Sequence, residues 1–305
     1  MSERKGILIT NAFLKTEKFV EHYDWLCQAA REQSVILDRM DNAACLPVCG
    51  GDMEWLAQYD FVLFWDKDFG LGKELTRAAG QLSIPVFNSV DAIAASDDKF
   101  ETYHRIGVYN QNHPESKLRL MPTIMAPMTY SNIGYTSLEF LDQVERTLGY
   151  PVVVKECFGS FGMQVYLAQN RLSLEKRTMQ LAGKPFLYQK YEAYSAGKDV
   201  RLQVVGNQVV AAMYRYARNG DFRANITNGG SMEPYEPSDR ECAIAVQAAK
   251  ILGLDFAGID LLFSEKSGEA DIFCEANSNA HFKNIYTCTG INVAEHIMKY
   301  IVERL

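Results

Sequence analysis

Basic residues are in short supply: 31 Lys and Arg stand against 38 Asp and Glu, a formal net charge of −7. Without a basic surplus few counterions can be released from a phosphodiester backbone, which excludes nucleic acid as the main partner. Long apolar runs are missing too. The opening MSERKGILITNAF holds only the short run GILI before polar residues return, too little for a signal-peptide core or a membrane span; the expectation is a cytoplasmic protein with no membrane partner. Paired cysteines are absent: Cys27, Cys45, Cys49, Cys157, Cys242, Cys274 and Cys288 form no CxxC motif, and their odd number suits reduced thiols rather than a disulfide framework. Cys45 and Cys49, in CLPVC, lack the second ligand pair of a zinc site. Proline is scarce, at 9 of 305 residues, and 48% hydrophobic with 23% charged residues excludes collagen-like or disordered character. The length exceeds one ordinary domain of about 100–200 residues, so more than one core is expected.

What is present is alternation. GILIT, SVILD, FVLFWD and PVFNS read as strands, separated by helical stretches from Glu17 to Gln33 and near Lys73 to Leu82. In the first of these Phe19, Val20, Tyr23, Cys27 and Ala30 recur at helical spacing, giving one buried stripe. This is βαβ patterning, so the first 88 residues are expected to form a Rossmann-like α/β domain. The turn TNAFLKT after GILIT lacks the glycines of a dinucleotide site. Next come a helix (DAIAASDDKFETYHRI), a strand (TIMAP), a helix (SLEFLDQVERTL), a strand (PVVVK), the loop FGSFG, a strand (QVYLA) and a helix (RLSLEKRTMQLA), a small α+β unit over 89–184. In the remainder, 185–305, Gly206-Asn207 suits a hairpin, Ser238 to Glu241 forms a capping box and Gly253 ends the helix that follows. The strands FAGIDLLFS and ADIFCEANS follow, and an amphipathic helix begins at Asn292.

Three clusters carry chemistry. Side chains alternate along a strand, so Glu275 and Asn277 of CEANS share one face, and Asp260 of AGIDLL can meet them from the partner strand. Beside Phe273 and Cys274 an unpaired carboxylate is costly to desolvate; a hard cation such as magnesium would compensate it, against the plainer reading of a solvated hairpin face. In PVVVKECFGSFGMQV, Lys155 ends an apolar strand, and Gly159, Ser160 and Gly162 let backbone N–H groups approach an anion, although no GKS or GKT makes this a Walker loop. The third cluster is basic: Arg201 beside Asp199 in GKDVR, then Arg215, Arg218, Arg223 and Asn225 in YRYARNGDFRAN. Arginine binds carboxylate and phosphate bidentately.

In this order, VFNSVDAIAASDDK, VVVKECFGSFG, YQKY, GDFRAN, AGIDLL and CEANSN resemble the ATP-grasp superfamily and, within it, the RimK-like carboxylate-amine ligases, over roughly residues 85 to 305. These add amino acids such as glutamate to protein, peptide or cofactor carboxylates. The resemblance implies an ATP-grasp fold, two α+β subdomains gripping ATP, behind the N-terminal α/β domain. It implies phosphate binding by Lys99 and Lys155 under the Ser160 and Gly162 lid, an adenine hinge at Lys190 and Tyr191, and Asp199 near the ribose. Arg223 and Asn225 fall at the γ-phosphate and acyl phosphate, with Arg215 nearby, and Asp260, Glu275 and Asn277 become ligands of Mg2+, with Mn2+ as the alternative. The expected partners are a carboxylate-bearing acceptor (peptide, protein or small molecule) and an amino acid or other amine, in a homo-oligomer, dimer or tetramer.

Two enzymatic products stay open, an amide by amino-acid addition or a side-chain ester or amide within one peptide, and a non-catalytic ATP-binding regulator stands as the rival class. The chain departs from its relatives at Lys190, at Gln164 and in NSNAHFKN, where relatives continue NASPG. There His281 and Lys283, with Arg201 and Arg215, are candidate substrate contacts.

Overall fold

The computed structural model describes residues 4–159, 162–218, 220–224 and 229–305, and of Lys18 the backbone alone. The chain opens as expected, with β1 (Arg4–Thr10), α1 (Glu17–Glu32), β2 (Val35–Asp41), β3 (Phe61–Phe64), α2 (Phe69–Gln81) and β4 (Val86–Phe87). The four strands pair in parallel in the order β2-β1-β3-β4, so strand order reverses between β1 and β3. One face packs on α2 through Ile7, Ile9, Val62, Phe64, Leu71 and Leu75.

The stretch read as one helix after residue 89 is two, α3 (Val90–Asp97) and α4 (Lys99–Asn112). Asp98 divides them because its carboxylate accepts the backbone N–H groups of Phe100 and Glu101 and so caps a new N-terminus. After β5 (Arg119–Leu120) come β6 (Thr123–Met125), α5 (Leu141–Leu148), β7 (Val152–Glu156), β8 (Val165–Ala168), α6 (Arg171–Gln180) and β9 (Phe186–Lys190). Strands β6, β9, β7 and β8 form an antiparallel sheet in that order, with its own core around Val152, Val154, Phe186 and Tyr188.

The last part holds β10 (Lys198–Val205), β11 (Gln208–Tyr216), β12 (Ser231–Pro234), α7 (Asp239–Leu252), β13 (Phe256–Leu262), β14 (Ile272–Asn277), α8 (Lys283–Thr289) and α9 (Val293–Val302). The hairpin at Gly206 (φ +60°), the Ser238–Glu241 capping box and the left-handed Gly253 stand where the sequence places them. The six-stranded sheet runs β12-β11-β10-β13-β14-β5.

Sheet membership divides the chain differently from the expected 89–184 and 185–305 units. Helices α3 and α4 pack with α7 on the six-stranded sheet, through Ala92, Ala95, Tyr103 and Ile106 against Leu202, Ile259 and Phe273, and β5 joins its edge. Strand β9, placed by sequence in the last unit, lies inside the small sheet. The small lid is therefore a single sheet inserted between α4–β5 and β10.

The N-terminal domain is fixed to the large sheet by a shared core. Leu8, Leu26 and Phe61 pack with Phe282, Ile297 and Ile301 of the C-terminal helices and with Val205 and Met213. Asn88, fully buried, donates from Nδ2 to the carbonyls of Phe256 (2.9 Å) and Ser278 (3.1 Å) and accepts at Oδ1 from the N–H groups of Asp255 (2.6 Å) and Phe256 (3.2 Å). No helix among the described residues is long and apolar enough to cross a membrane.

Candidate active site

One face of the six-stranded sheet carries a row of charge fixed by strand register. Asp199 on β10 lies opposite Arg215 on β11, Arg201 on β10 opposite Asp260 on β13, and Asp260 opposite Glu275 on β14. Cross-strand neighbours are within reach of one another, and the side chains meet. Arg215 grips Asp199 with Nε–Oδ1 2.6 Å and Nη2–Oδ2 2.8 Å; Arg201 grips Asp260 with Nε–Oδ1 2.6 Å and Nη2–Oδ2 2.7 Å; Arg215 Nη2 also reaches Asp260 Oδ2 at 3.0 Å. Two cations thus balance two anions in a largely buried row, with Arg215 and Asp260 each 4% exposed and Arg201 and Asp199 half-buried. Burial works against the Asp260 charge, but Arg201 and Arg215 outweigh it and hold the carboxyl below its ordinary range. At Asp199 burial prevails over Arg215 and raises the carboxyl.

Gly258 lets the turn after β14 lie close over β13, because a Cβ there would lie 2.7 Å from the Cβ of Ala280. Beside the metal and the solvated hairpin face that the sequence offers for Asp260, the register supplies two arginines as compensating charge.

Lys99, first residue of α4, reaches Gly159 O at 3.2 Å and Glu275 Oε1 at 3.5 Å. Its backbone N–H donates to Cys157 O at 3.0 Å, which joins α4 to the base of the glycine loop. Lys155 Nζ lies 3.9 Å from Cys274 Sγ, and burial pushes that thiol up to about 11 although Lys155 pulls it down. Arg223 pairs with Asp221 (2.8 Å) and donates from Nη1 to Gly162 O (2.8 Å). Lys190, the last residue of β9, and Tyr191 after it line, with Lys99, Lys155, Gly162, Asp199, Arg223 and Glu275, a cavity of about 120 Å3 between the lid and the large sheet. Asp199 faces this cavity with both oxygens bound by Arg215, so the carboxylate expected near a ribose is already engaged. Ser160 and Asn225 lie outside the described residues.

A second cavity, of about 340 Å3, opens on the other side of Arg215, Glu275 and Gly159, which line both. Asn277, Asn279, His281 and Arg201 face it from the large sheet, and Tyr23, Trp65, Asp66 and Lys67 from the N-terminal domain. His281 packs edge-on to Phe19 and His22, at ring-centroid distances of 4.9 and 4.4 Å. Lys283 is not on this wall: it pairs with Glu21 of α1. His22 Nε2 accepts the backbone N–H groups of Phe282 (3.0 Å) and Lys283 (3.4 Å), so α1 holds the turn after β14. The sequence reading did not find His22, Asn88 or Asp66. Each stands among other polar residues at the edge of an apolar pattern, and its role arises from contacts at sequence separations of 167 to 261 for Asn88 and His22 and of 55 for Asp66 with Asn11.

The donor set suits a hard divalent cation. Glu275 offers a carboxylate and Asn277 an amide oxygen, on the strand next to Asp260 and in register with it, while both Asp260 oxygens already accept from Arg201 and Arg215 and only their remaining lone pairs could serve a cation. Asn277 uses its Nδ2 on Gly258 O at 3.4 Å, which directs the amide nitrogen away from that role. Among the described residues no cluster of three or more His, Cys, Asp or Glu forms an alternative metal site.

The sequence pattern of the RimK-like ATP-grasp domain matches residues 117–301. An uncharacterized protein of Mycoplasma pneumoniae is 31% identical over 79% of this chain and 79% of its own length. A probable alpha-L-glutamate ligase of Halorhodospira halophila is 37% identical over 65% of this chain and 68% of its own. The chain is also similar in fold to the D-alanine–D-alanine ligase of Bacillus anthracis solved with ATP, with a TM-score of 0.70 and 13% identity over 99% of this chain and 97% of that one.

Proposed function

The chain belongs to the RimK-like ATP-grasp family, which makes it an ATP-dependent, ADP-forming carboxylate-amine ligase, and on that premise we propose that it joins an amino acid such as glutamate to the carboxylate of a peptide, protein or small molecule. The observation that carries this reading is the shared wall of the two cavities. A nucleotide in the lid-side cavity and a carboxylate in the larger one would meet at Arg215, Glu275 and Gly159.

In this reading Lys99, Lys155 and Arg223 receive the phosphates. Asp260, Glu275 and Asn277 would hold Mg2+, or Mn2+, which supplies neutralisation of phosphate charge. The substrate carboxylate attacks the γ-phosphorus and ADP leaves; the amine then attacks the acyl phosphate and displaces phosphate. The residues act by position and charge, as is general for phosphoryl transfer. The lid-side cavity, at about 120 Å3, is smaller than the roughly 300–1,000 Å3 of ligand pockets. Nucleotide entry therefore breaks the Lys99–Gly159 and Arg223–Gly162 bonds and lifts the lid, and the phosphates replace those carbonyls as partners of the two cations.

The test is release of ADP and phosphate across a panel of amino acids and carboxylate acceptors. We expect ADP formation that requires both substrates. ATP binding without ADP formation under every pairing would instead make the chain a nucleotide-binding regulator.

The turn after Asn277 sets a second expectation. His281 faces the larger cavity, whereas Lys283 is held by Glu21. His281→Ala should change the ranking of acceptors or amines in kcat/KM while the KM for ATP stays within about threefold, and Lys283→Ala should leave the ranking as it is. An unchanged ranking in His281→Ala would reduce that residue to packing.

A further inference from the structure

The larger cavity has an anionic corner that the ligase reading leaves without a role. Asp66 follows β3 and Asn11 follows β1, so both stand at the carboxyl ends of the two parallel strands between which the strand order reverses. Open α/β sheets bind ligands in that crevice. Asn11 Nδ2 donates to both carboxylate oxygens of Asp66, at 3.1 and 3.2 Å, and the Lys67 N–H donates to Oδ1 at 2.7 Å. All of these donors are neutral.

Asp66 is 6% exposed and lines the cavity, yet among the described residues no cation lies within ion-pair distance of it. The cations that share the wall are taken elsewhere: Lys67 by Asp97, Arg201 by Asp260, and Arg215 by Asp199 and Asp260. Burying an ionised carboxylate without a counter-charge is costly, so such a group either keeps a proton or waits for a cationic ligand.

Its surroundings are built and stiff. Trp65 stacks on Phe256 at 5.6 Å, and Asn279, two residues past Asn277, brings its amide to 3.5 Å from the Asp66 carbonyl. The carboxylate therefore faces, from the N-terminal domain, the same cavity that Arg215 and Glu275 line from the large sheet.

We propose that Asp66 binds the ammonium group of the incoming amine and accepts its proton, which makes the larger cavity the site of a free amino acid or other primary amine. This rests on the ligase reading. One N–H proton of the ammonium passes to an Asp66 oxygen. The freed nitrogen lone pair attacks the acyl carbon; the C–N bond forms, the C–O bond to phosphate breaks, and phosphate leaves with the electron pair and takes the second proton. Burial raises the Asp66 carboxyl above its ordinary range, opposed by the Lys67 N–H and the Asn11 amide, and that makes it a better proton acceptor than a surface carboxylate.

The test compares two nucleophiles on the same acyl phosphate, made from ATP and a carboxylate that supports ADP formation in the panel. Hydroxylamine, uncharged at neutral pH, captures it as a hydroxamate and needs no ammonium site; L-glutamate, or another amine that the panel selects, captures it as an amide. In Asp66→Asn and Asp66→Ser the ratio of amide to hydroxamate should fall by about 10^2-fold or more. The ratio is independent of how much of a variant is folded, so a destabilised variant still reports. An unchanged ratio in both variants overturns the role of Asp66 alone. No ATP-dependent hydroxamate from the wild type with any carboxylate overturns the ligase reading, and this proposal with it.

Discussion

Arg215→Met should lower the free energy of unfolding by about 3–5 kcal/mol and end turnover. The side chain is the hub of the buried row: its Nε and Nη2 serve Asp199, and its Nη2 also serves Asp260. Removal leaves Asp199 without its bidentate partner and Asp260 with Arg201 alone, in a largely buried row. Arg215→Lys should fall between wild type and Met, because an ammonium restores charge but not the two-pronged grip. Adding Asp199→Asn to Arg215→Met should recover part of the loss by removing one stranded charge.

The pH dependence has a definite sign. The depressed carboxyl of Asp260 contributes stability above the unfolded pKa of about 4, and this is lost as pH falls through the lower folded value. Asp199, raised by burial, contributes in the opposite sense. Without Arg215 both carboxyls are pushed up, so the deficit of the variant is largest near neutral pH and shrinks toward acid. Urea unfolding at pH 7 and pH 4.5 measures it. A loss under about 1 kcal/mol at pH 7 would mean that the row is dispensable to the fold.

Glu275→Gln should lower kcat/KM by about 10^2–10^3-fold with little change in stability. Its carboxylate faces both cavities and has one ion pair among the described residues, the 3.5 Å contact with Lys99, and loss of such a pair costs roughly 0–1 kcal/mol. Asp260→Asn should be as inactive and clearly less stable, because its two oxygens hold two arginines. The pair of variants thus separates chemistry from architecture. Turnover of Glu275→Gln within tenfold of wild type would remove Glu275 from the reaction centre.

Much of this arrangement was legible in the sequence, where a local rule governs. The alternation in CEANS placed Glu275 and Asn277 on one face, and Gly206-Asn207, the Ser238 box and Gly253 marked a hairpin and a helix by chemistry that acts within a few residues. The ATP-grasp fold and the RimK-like family followed from motifs of the same kind. The partners of the charges were not legible. Whether Asp260 meets a metal or an arginine depends on the register of β10 against β13, set by strands 59 residues apart at the Arg201–Asp260 bond. The lid boundary was misplaced for a related reason: helical periodicity shows that Ala92 and Ile106 are buried, but not against which sheet. Asp66 was invisible because it opens the charged run Asp66-Lys67-Asp68 at the end of an apolar strand, which looks like an ordinary turn.

The four backbone bonds of Asn88 have a consequence for the order of events. They clip the N-terminal sheet to both β13 and the turn behind β14, and the shared core of α1, α8 and α9 closes the same joint. The N-terminal domain and the large sheet are thus one assembly, and the larger cavity lies within it except for Gly159 of the glycine loop, whereas the proposed nucleotide cavity lies between that assembly and the lid sheet. On the proposed reading, discrimination among substrates would be set by walls that this joint holds in place before any nucleotide arrives, and ATP would be admitted by the lid alone.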